Sequence, residues 1–380
     1  MPAGPRRTVI AAVAPLAYGA APFNDAMTRV MARTGPVDVI SWHRMYPPLL
    51  FRGQRTDPDT PRPSLPGTTF LLDWHRPSTW RQAVRRVASF EAQAVVLPWL
   101  HPVTAPSYRY LLRHVPKTCT RVVICHNVTP HEPVPGLGVL SRSVLRHADL
   151  LVTHAPQQSK ELEELGLTGA PVIEAFHPRF DADELGAVPT REACEAERVR
   201  HGDPELLLLT FGAIRPYKGV DLALDALAQV DRALDVRLVV AGRSRGSVDA
   251  LRDQAKRLSL NGRVEFVDRF IPTKEAARLF AAADASLLPY RSASQSGVAQ
   301  LSFAYGRPVI ATRVGGLPAA VEDGVNGILC EPDAPSIAAA IETMAERRTE
   351  LAQGVHDGAE VSSFASYSAL IDAAVVERPR

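Results

Sequence analysis

The sequence predicts an α/β protein of two doubly wound, Rossmann-like domains facing across a cleft, and three observations carry that expectation. Short apolar runs of four to seven residues alternate with helical stretches along most of the chain. The alternation occurs twice, on either side of a charged stretch broken by Pro189 and Pro204. The length of 380 residues, 46% of them hydrophobic, is enough for two buried cores.

The first series of runs is Val9–Pro15, Val37–Ser41, Thr69–Leu72, Ala94–Pro98, Arg121–Cys125, Leu150–Thr153 and Pro171–Ala175. Their length and near-continuous apolar character suit strands buried on both faces. Asn24–Arg33, Ser78–Phe90 and Gln158–Leu165 carry helical apolar spacing between them. The second series expects strands at Leu206–Phe211, Arg237–Ala241, Val264–Val267, Ala285–Pro289 and Pro308–Ala311. Helices are expected at Asp221–Gln229, Val248–Leu258, Lys274–Ala282, Gly297–Tyr305 and Pro335–Arg347. The predicted organisation is an N-terminal domain over 1–185, a linker over 186–205 and a second domain over 206–350. A helical tail over 351–380 is expected to pack back on the first domain. Right-handed crossovers make each series a parallel sheet, with ligands at the carboxyl ends of the strands.

Composition narrows the function classes. The formal net charge is +2, which gives no whole-chain argument for nucleic acid. Four cysteines (Cys119, Cys125, Cys194 and Cys330) lack CxxC or zinc-type spacing and read as thiols of a reducing cytoplasm. The apolar run Thr8 to Leu16 is too short and proline-broken to span a bilayer, and reads as a first buried strand. Five lysines stand among 43 Lys and Arg, a bias expected of a GC-rich, actinobacterial genome.

The candidate site begins where the expected strand Leu206–Phe211 ends. Gly212 opens a loop that carries Arg215 and Lys218, and a helix follows at about Asp221. Two fixed cations beside a helix N-terminus are what a diphosphate needs; an ordinary surface loop with solvated charges is the alternative. Gly242 closes the next strand in the same way. Further along stand Asp268-Arg269-Phe270-Ile271-Pro272, Ser294-Gln295-Ser296-Gly297-Val298, Tyr305-Gly306-Arg307-Pro308, Val314-Gly315-Gly316-Leu317-Pro318 and Glu322-Asp323-Gly324-Val325-Asn326-Gly327.

Taken together and in this order, these motifs resemble the donor-binding domain of family 4 retaining glycosyltransferases of the GT-B fold. The resemblance implies that Arg215 and Lys218 clamp the diphosphate of a nucleotide sugar. It also implies that the backbone at Phe270 and Ile271 holds the base, while the amides of Ser294 to Val298 face the phosphates or the sugar. In the N-terminal half, Cys125-His126-Asn127, Thr153-His154 and Phe176-His177-Pro178 match the same family. There His126 is expected to contact the transferred sugar, whereas His131, His154 and His177 read as structural.

One departure stands out. Family 4 enzymes usually carry a Glu-x7-Glu pair whose positions fall here on Ala293 and Leu301. Neither residue can hydrogen-bond a hydroxyl, so the Ser-Gln-Ser-Gly-Val run reads as a variant donor loop, with Gln300 also nearby.

On the acceptor side, the loop with Gly19 and Asn24 and the turn with Trp99 and His101 are the expected contacts. The basic face Trp80–Val87 reads either as a membrane-surface helix, giving peripheral membrane contact, or as a solvated helix face. Asp57-Pro58-Asp59 and Asp181-Ala182-Asp183 fit an Asp-x-Asp metal pattern but follow no strand, and no metal or other cofactor is expected. The predicted activity is retaining, metal-independent transfer from a UDP-sugar, or a GDP-sugar, to a saccharide, lipid-linked or specialised-metabolite acceptor. A non-catalytic sugar-nucleotide or partner-binding homologue and a nucleotide-sugar epimerase are the rivals.

Overall fold

A computed structural model describes residues 4–17, 20–47, 55–60, 62–63, 65–128, 136–180, 185, 188–244, 248–358 and 363–376. The chain divides into two compact units. The first is Met1–Phe176 with Ser363–Arg380, and the second is His177–Ser362.

The first unit is built on strands β1 (Arg7–Ile10), β2 (Val37–Arg44), β3 (Thr69–Asp73), β4 (Ala94–Trp99), β5 (Thr120–Cys125), β6 (Leu150–Thr153) and β7 (Val172–Glu174). Its helices are α1 (Ala21–Thr34), α2 (Pro77–Ser89), α3 (Ala105–His114), α4 (Leu137–Leu145) and α5 (Pro156–Glu164). All strand pairs are parallel, in the order β3-β2-β1-β4-β5-β6-β7. β1, β4 and β6 are buried along their whole length, as sheets covered by helices on both faces require. Proline in the first turns of α1, α2, α3 and α5 starts each helix where a missing N–H costs nothing.

The second unit opens with α6 (Arg191–Arg200) and carries strands β8 (Leu206–Phe211), β9 (Val236–Ala241), β10 (Val264–Val267), β11 (Ala285–Leu288), β12 (Val309–Thr312) and β13 (Gly327–Cys330). Helices α7 (Val220–Leu227), α8 (Asp249–Arg257), α9 (Thr273–Ala282), α10 (Gly297–Ala304), α11 (Leu317–Ala320) and α12 (Ala334–Asp357) complete it. The parallel order is β10-β9-β8-β11-β12-β13, reversing between β8 and β11. The last helix, α13 (Phe364–Val376), packs on α1 in the first unit.

The divisions differ from the expected ones. The first boundary falls at 176/177, and the stretch read as a linker contains α6. That helix has no apolar stripe, and its one buried residue is Glu197. Glu197 lies 3.6 Å from Arg278 of α9, and Arg198 pairs with Asp284, just before β11, at 2.9 Å. Ion pairing therefore docks α6, which hydrophobic periodicity cannot register.

Candidate functional site

In the second unit, β8 and β11 are neighbours where the strand order reverses. Ligands of doubly wound sheets sit beyond the carboxyl ends of the strands at that point. The loops leaving these two strands hold most of the expected donor residues.

Gly212 follows β8 at φ +91°, a backbone region that favours glycine. A Cβ there would lie 2.9 Å from Lys218 Nζ and 3.9 Å from a Val298 methyl. Gly212, Lys218 and the first turn of α10 are thus brought together from positions up to 86 residues apart. At Gly242 (φ +146°) a Cβ would strike the Gly212 carbonyl, so the turns after β8 and β9 pack backbone to backbone. Ser244 joins the third loop by donating from its N–H (2.7 Å) and its hydroxyl (2.8 Å) to the Asp268 carboxylate.

Lys218 is 7% exposed and donates to the Phe211 carbonyl oxygen at 2.9 Å. Its Nζ lies 5.4 Å from the centre of the Tyr290 ring. Burial pushes the ammonium down to about 8, and the charge of Arg215 adds to that shift. Arg215, half-buried, begins the short 3-10 turn Pro216–Lys218. Arg291 pins this turn to the loop after β11: its N–H donates to the Tyr217 carbonyl at 2.7 Å, and its guanidinium grips Asp221 at 2.7 and 2.8 Å.

Across the loop, Ser296 caps α10 by accepting from the Ala299 N–H at 3.3 Å. The N–H groups of a helix's first turn have no acceptor within the helix, which is the usual basis for anion binding there. Ser294 and Ser296 are buried, while Gln295, Gly297 and Val298 are half-buried. Tyr290, buried between this turn and Lys218, has its phenol pushed up by burial. Sequence reasoning passed over Tyr290, whose signal was its position one residue beyond the strand-ending Pro289.

Ile271 is buried, its side chain packed with Leu207, Leu209 and Phe280, and Phe270 is half-buried. The two positions that lack the expected glutamates are apolar in their surroundings as well. Ala293 packs with Leu288, Val309 and Ala311, and its carbonyl accepts from the Gly316 N–H at 3.0 Å. Leu301 lies against the cluster of Leu209, Ile271 and Phe280.

In the first unit, His126 follows β5 and is 3% exposed. Its N–H donates to the Trp99 carbonyl at 3.0 Å, and its own carbonyl accepts from Gln158 Nε2 at 2.9 Å. Phe23 meets the imidazole edge-on with centroids 4.5 Å apart, and the His154 ring lies at 5.3 Å. His154 Nε2 pairs with the Tyr367 hydroxyl at 2.8 Å, so α13 takes part in this buried cluster.

The expected acceptor contacts fare differently. Gly19 and His131 lie outside the described residues, as do Asp181 and Asp183. Asn24 is fully buried and donates from Nδ2 to the Ala12 carbonyl at 2.7 Å, so it braces the β1–α1 loop from beneath. Trp99 is also fully buried, beside Tyr108 in the sheet core, and presents no surface to an acceptor. His101 is exposed and accepts from the Val103 N–H at 3.1 Å, capping a 3-10 turn. Asp57 closes its own turn by accepting from the Asp59 N–H at 2.9 Å.

Residues 205–347 match the family described as glycosyl transferases group 1. The D-inositol 3-phosphate glycosyltransferase of Mycobacterium marinum (strain ATCC BAA-535 / M) is 32% identical over 221 residues, covering 57% of this chain and 46% of that protein. The protein of the same name from Mycobacterium tuberculosis (strain ATCC 25177 / H37Ra) is 34% identical over 206 residues, covering 53% and 41%. The match thus spans less than half the length of these curated relatives, whose mycobacterial origin fits the arginine-rich composition.

Among solved structures, sucrose-phosphate synthase from Thermosynechococcus elongatus aligns with TM-score 0.73 at 18% identity, over 98% of both chains. Anabaena Alr3699/HepE in complex with UDP and glucose aligns with TM-score 0.73 at 17% identity, over 98% of this chain and 100% of that one. These two likenesses establish the fold. Residues 205–347 thus match the glycosyl transferases group 1 domain, within a chain whose fold is that of these GT-B structures.

Proposed function

We propose that the protein transfers a sugar, with retention and without a metal, from a nucleotide-diphosphate donor to a saccharide, lipid-linked or specialised-metabolite acceptor. The observation that carries this reading is the buried Lys218 beside Gly212, Val298 and Tyr290, with Arg215 at the start of the same turn. A buried ammonium held by one carbonyl is costly unless an anion completes its surroundings. A diphosphate fits that requirement. A UDP-sugar is the preferred donor, in keeping with the UDP and UDP-glucose complexes of the Anabaena fold relative.

In this reaction the bond from the sugar's anomeric carbon to the β-phosphate oxygen breaks first, giving an oxocarbenium-like sugar. Lys218, Arg215 and the amides opening α10 stabilise the departing diphosphate. The acceptor hydroxyl forms the new bond on the same face, and its proton passes to the β-phosphate. The resemblance assigns His126 to the transferred sugar.

A panel of UDP- and GDP-sugars, assayed for slow donor hydrolysis and then with saccharide and polyol-phosphate acceptors, tests this. Release of nucleoside diphosphate, lowered at least about a hundredfold by Lys218→Ala, is the expected result. The loss of both glutamates favours one rival, a non-catalytic sugar-nucleotide binder. Binding of a donor with no turnover by any acceptor would establish that rival, and an isomeric nucleotide sugar would establish an epimerase.

A further inference from the structure

The charge of this chain is unevenly placed. Residues 75–148 hold ten Lys and Arg against two Asp and Glu, whereas the whole chain has a formal net charge of only +2. The excess falls on three consecutive helices, α2, α3 and α4, none of which contains a carboxylate. These helices pack side by side, α2 on α3 and α3 on α4, and bury Trp80, Val87, Tyr108, Leu111, Val144 and Leu145 in one core.

Their outer surfaces carry Arg81, Arg85, Arg109, Arg113, Arg142 and Arg146, all exposed. None of the six forms an ion pair among the described residues. The inward-facing arginines contrast with them: Arg86 is locked to Asp38 at 2.6 Å and Arg121 to Asp149 at 2.7 Å. The outward charges are close enough to act together. Of these outward arginines, Arg146, Arg113 and Arg109 all contribute, after burial, to pushing the His147 imidazole down.

Two adjacent apolar side chains, Val139 (72% exposed) and Leu140 (42%), stand in α4 beside these arginines. The patch ends at α5, whose Glu161, Glu163 and Glu164 restore the balance of sign.

We propose that the outer face of α2, α3 and α4 docks on an anionic lipid bilayer. The arginines engage phosphate headgroups, and Val139 and Leu140 enter the interface. Unpaired cations that repel one another on a folded surface are relieved by a dense negative plane, and the paired apolar residues favour a bilayer over a purely polar polyanion. No helix among the described residues is long and apolar enough to cross a membrane, so this would be contact at the surface. The inference is independent of the donor assignment, because vesicle binding requires no nucleotide sugar.

Flotation of the full chain with vesicles of two parts phosphatidylcholine to one part phosphatidylglycerol tests it. Each cation near such a surface is worth roughly fivefold in partition. Arg109→Glu with Arg113→Glu should therefore lower binding at least about tenfold, and Leu140→Ser should lower it severalfold. The thermal unfolding of these variants should match the parent's, which reports that they fold. Binding should fall as salt rises from about 0.05 to about 0.5 M. The proposal is overturned by absence of binding to the anionic vesicles, or by equal binding to phosphatidylcholine alone. It is also overturned if RNA is captured through these arginines while the vesicles are not.

Discussion

Lys218 Nζ donates to the carbonyl oxygen of Phe211 at 2.9 Å, folding its side chain back over the end of the strand that precedes it. Burial makes this ammonium a cost to the fold. Its folded value is about 8 against an ordinary 10.5. The unfolded chain therefore binds more protons between those values, and stability from this group rises as pH rises from about 8 to 10.5. At neutral pH the full cost, on the order of 3 kcal/mol, is present. Lys218→Met removes it but leaves the Phe211 carbonyl without its donor, a loss of about 1–2 kcal/mol. The variant should thus be inactive yet melt a few degrees higher than the parent at pH 7. An unchanged or lower melting temperature would show that Lys218 is not strained in the ligand-free protein.

The same depressed value predicts a proton balance on binding. A diphosphate next to Lys218 restores the charged form, so nucleotide binding takes up a proton. Uptake should be small at pH 7 and approach a full proton at about pH 9, with affinity weakening as pH rises above about 8. Calorimetry with UDP in buffers of different ionisation enthalpy measures it. Lys218→Arg, charged throughout this range, should abolish the uptake. A buffer-independent enthalpy for the parent across pH 7 to 9 would place the diphosphate away from Lys218.

His177 sets an acid limit. It is buried, its Nδ1 donates to the Pro178 carbonyl at 3.0 Å, and burial pushes the imidazole down to about 4. A lowered histidine stabilises the fold while neutral. Its contribution is fully present above the ordinary 6.5 and is lost as pH falls toward about 4. The loss is on the order of 3 kcal/mol. His177→Gln should be less stable at pH 7 but flatter in stability between pH 6.5 and 4. Parallel pH–stability curves for the two proteins would remove His177 from the acid response.

Leu206–Phe211 and Leu150–Thr153 were legible because burial on both faces makes them continuous apolar runs, and the partly exposed edge strand Val264–Val267 also coincides with its expected limits. α6 was hidden because ion pairs of Glu197 and Arg198, not an apolar stripe, dock it. β13 was hidden because it is a four-residue edge strand starting at Gly327. The punctuation of strand, glycine, cations and helix singled out Gly212, Lys218 and the α10 opening, and the structure brings these three together. Asn24 and Trp99 were misplaced because a residue's identity does not say whether it lines a surface or fills the layer beneath. The partners of His126, chiefly Phe23 and Gln158, lie far from it in sequence and follow no spacing rule.

Arg7 and Asp372 join the first strand to the last helix. Arg7 is 1% exposed and donates to Asp372 at 2.8 Å, to the Met31 carbonyl at 2.7 Å and to Thr34 Oγ1 at 3.0 Å. Burial lowers the arginine and raises the aspartate despite their mutual attraction, so desolvation outweighs the ion pair for both partners. Such pairs are costly to break and cheap to replace. Asp372→Leu should destabilise by about 3–5 kcal/mol by stranding a buried guanidinium, whereas Arg7→Met with Asp372→Leu should recover at least half of that loss. Urea unfolding of both single variants and the double variant measures the coupling. Because α13 also supplies Tyr367 to His154, the single variant should loosen the surroundings of His126 as well, and the double variant should restore them. Additive losses in the double variant would mean that the two charges contribute independently and that α13 is held by its apolar contacts alone.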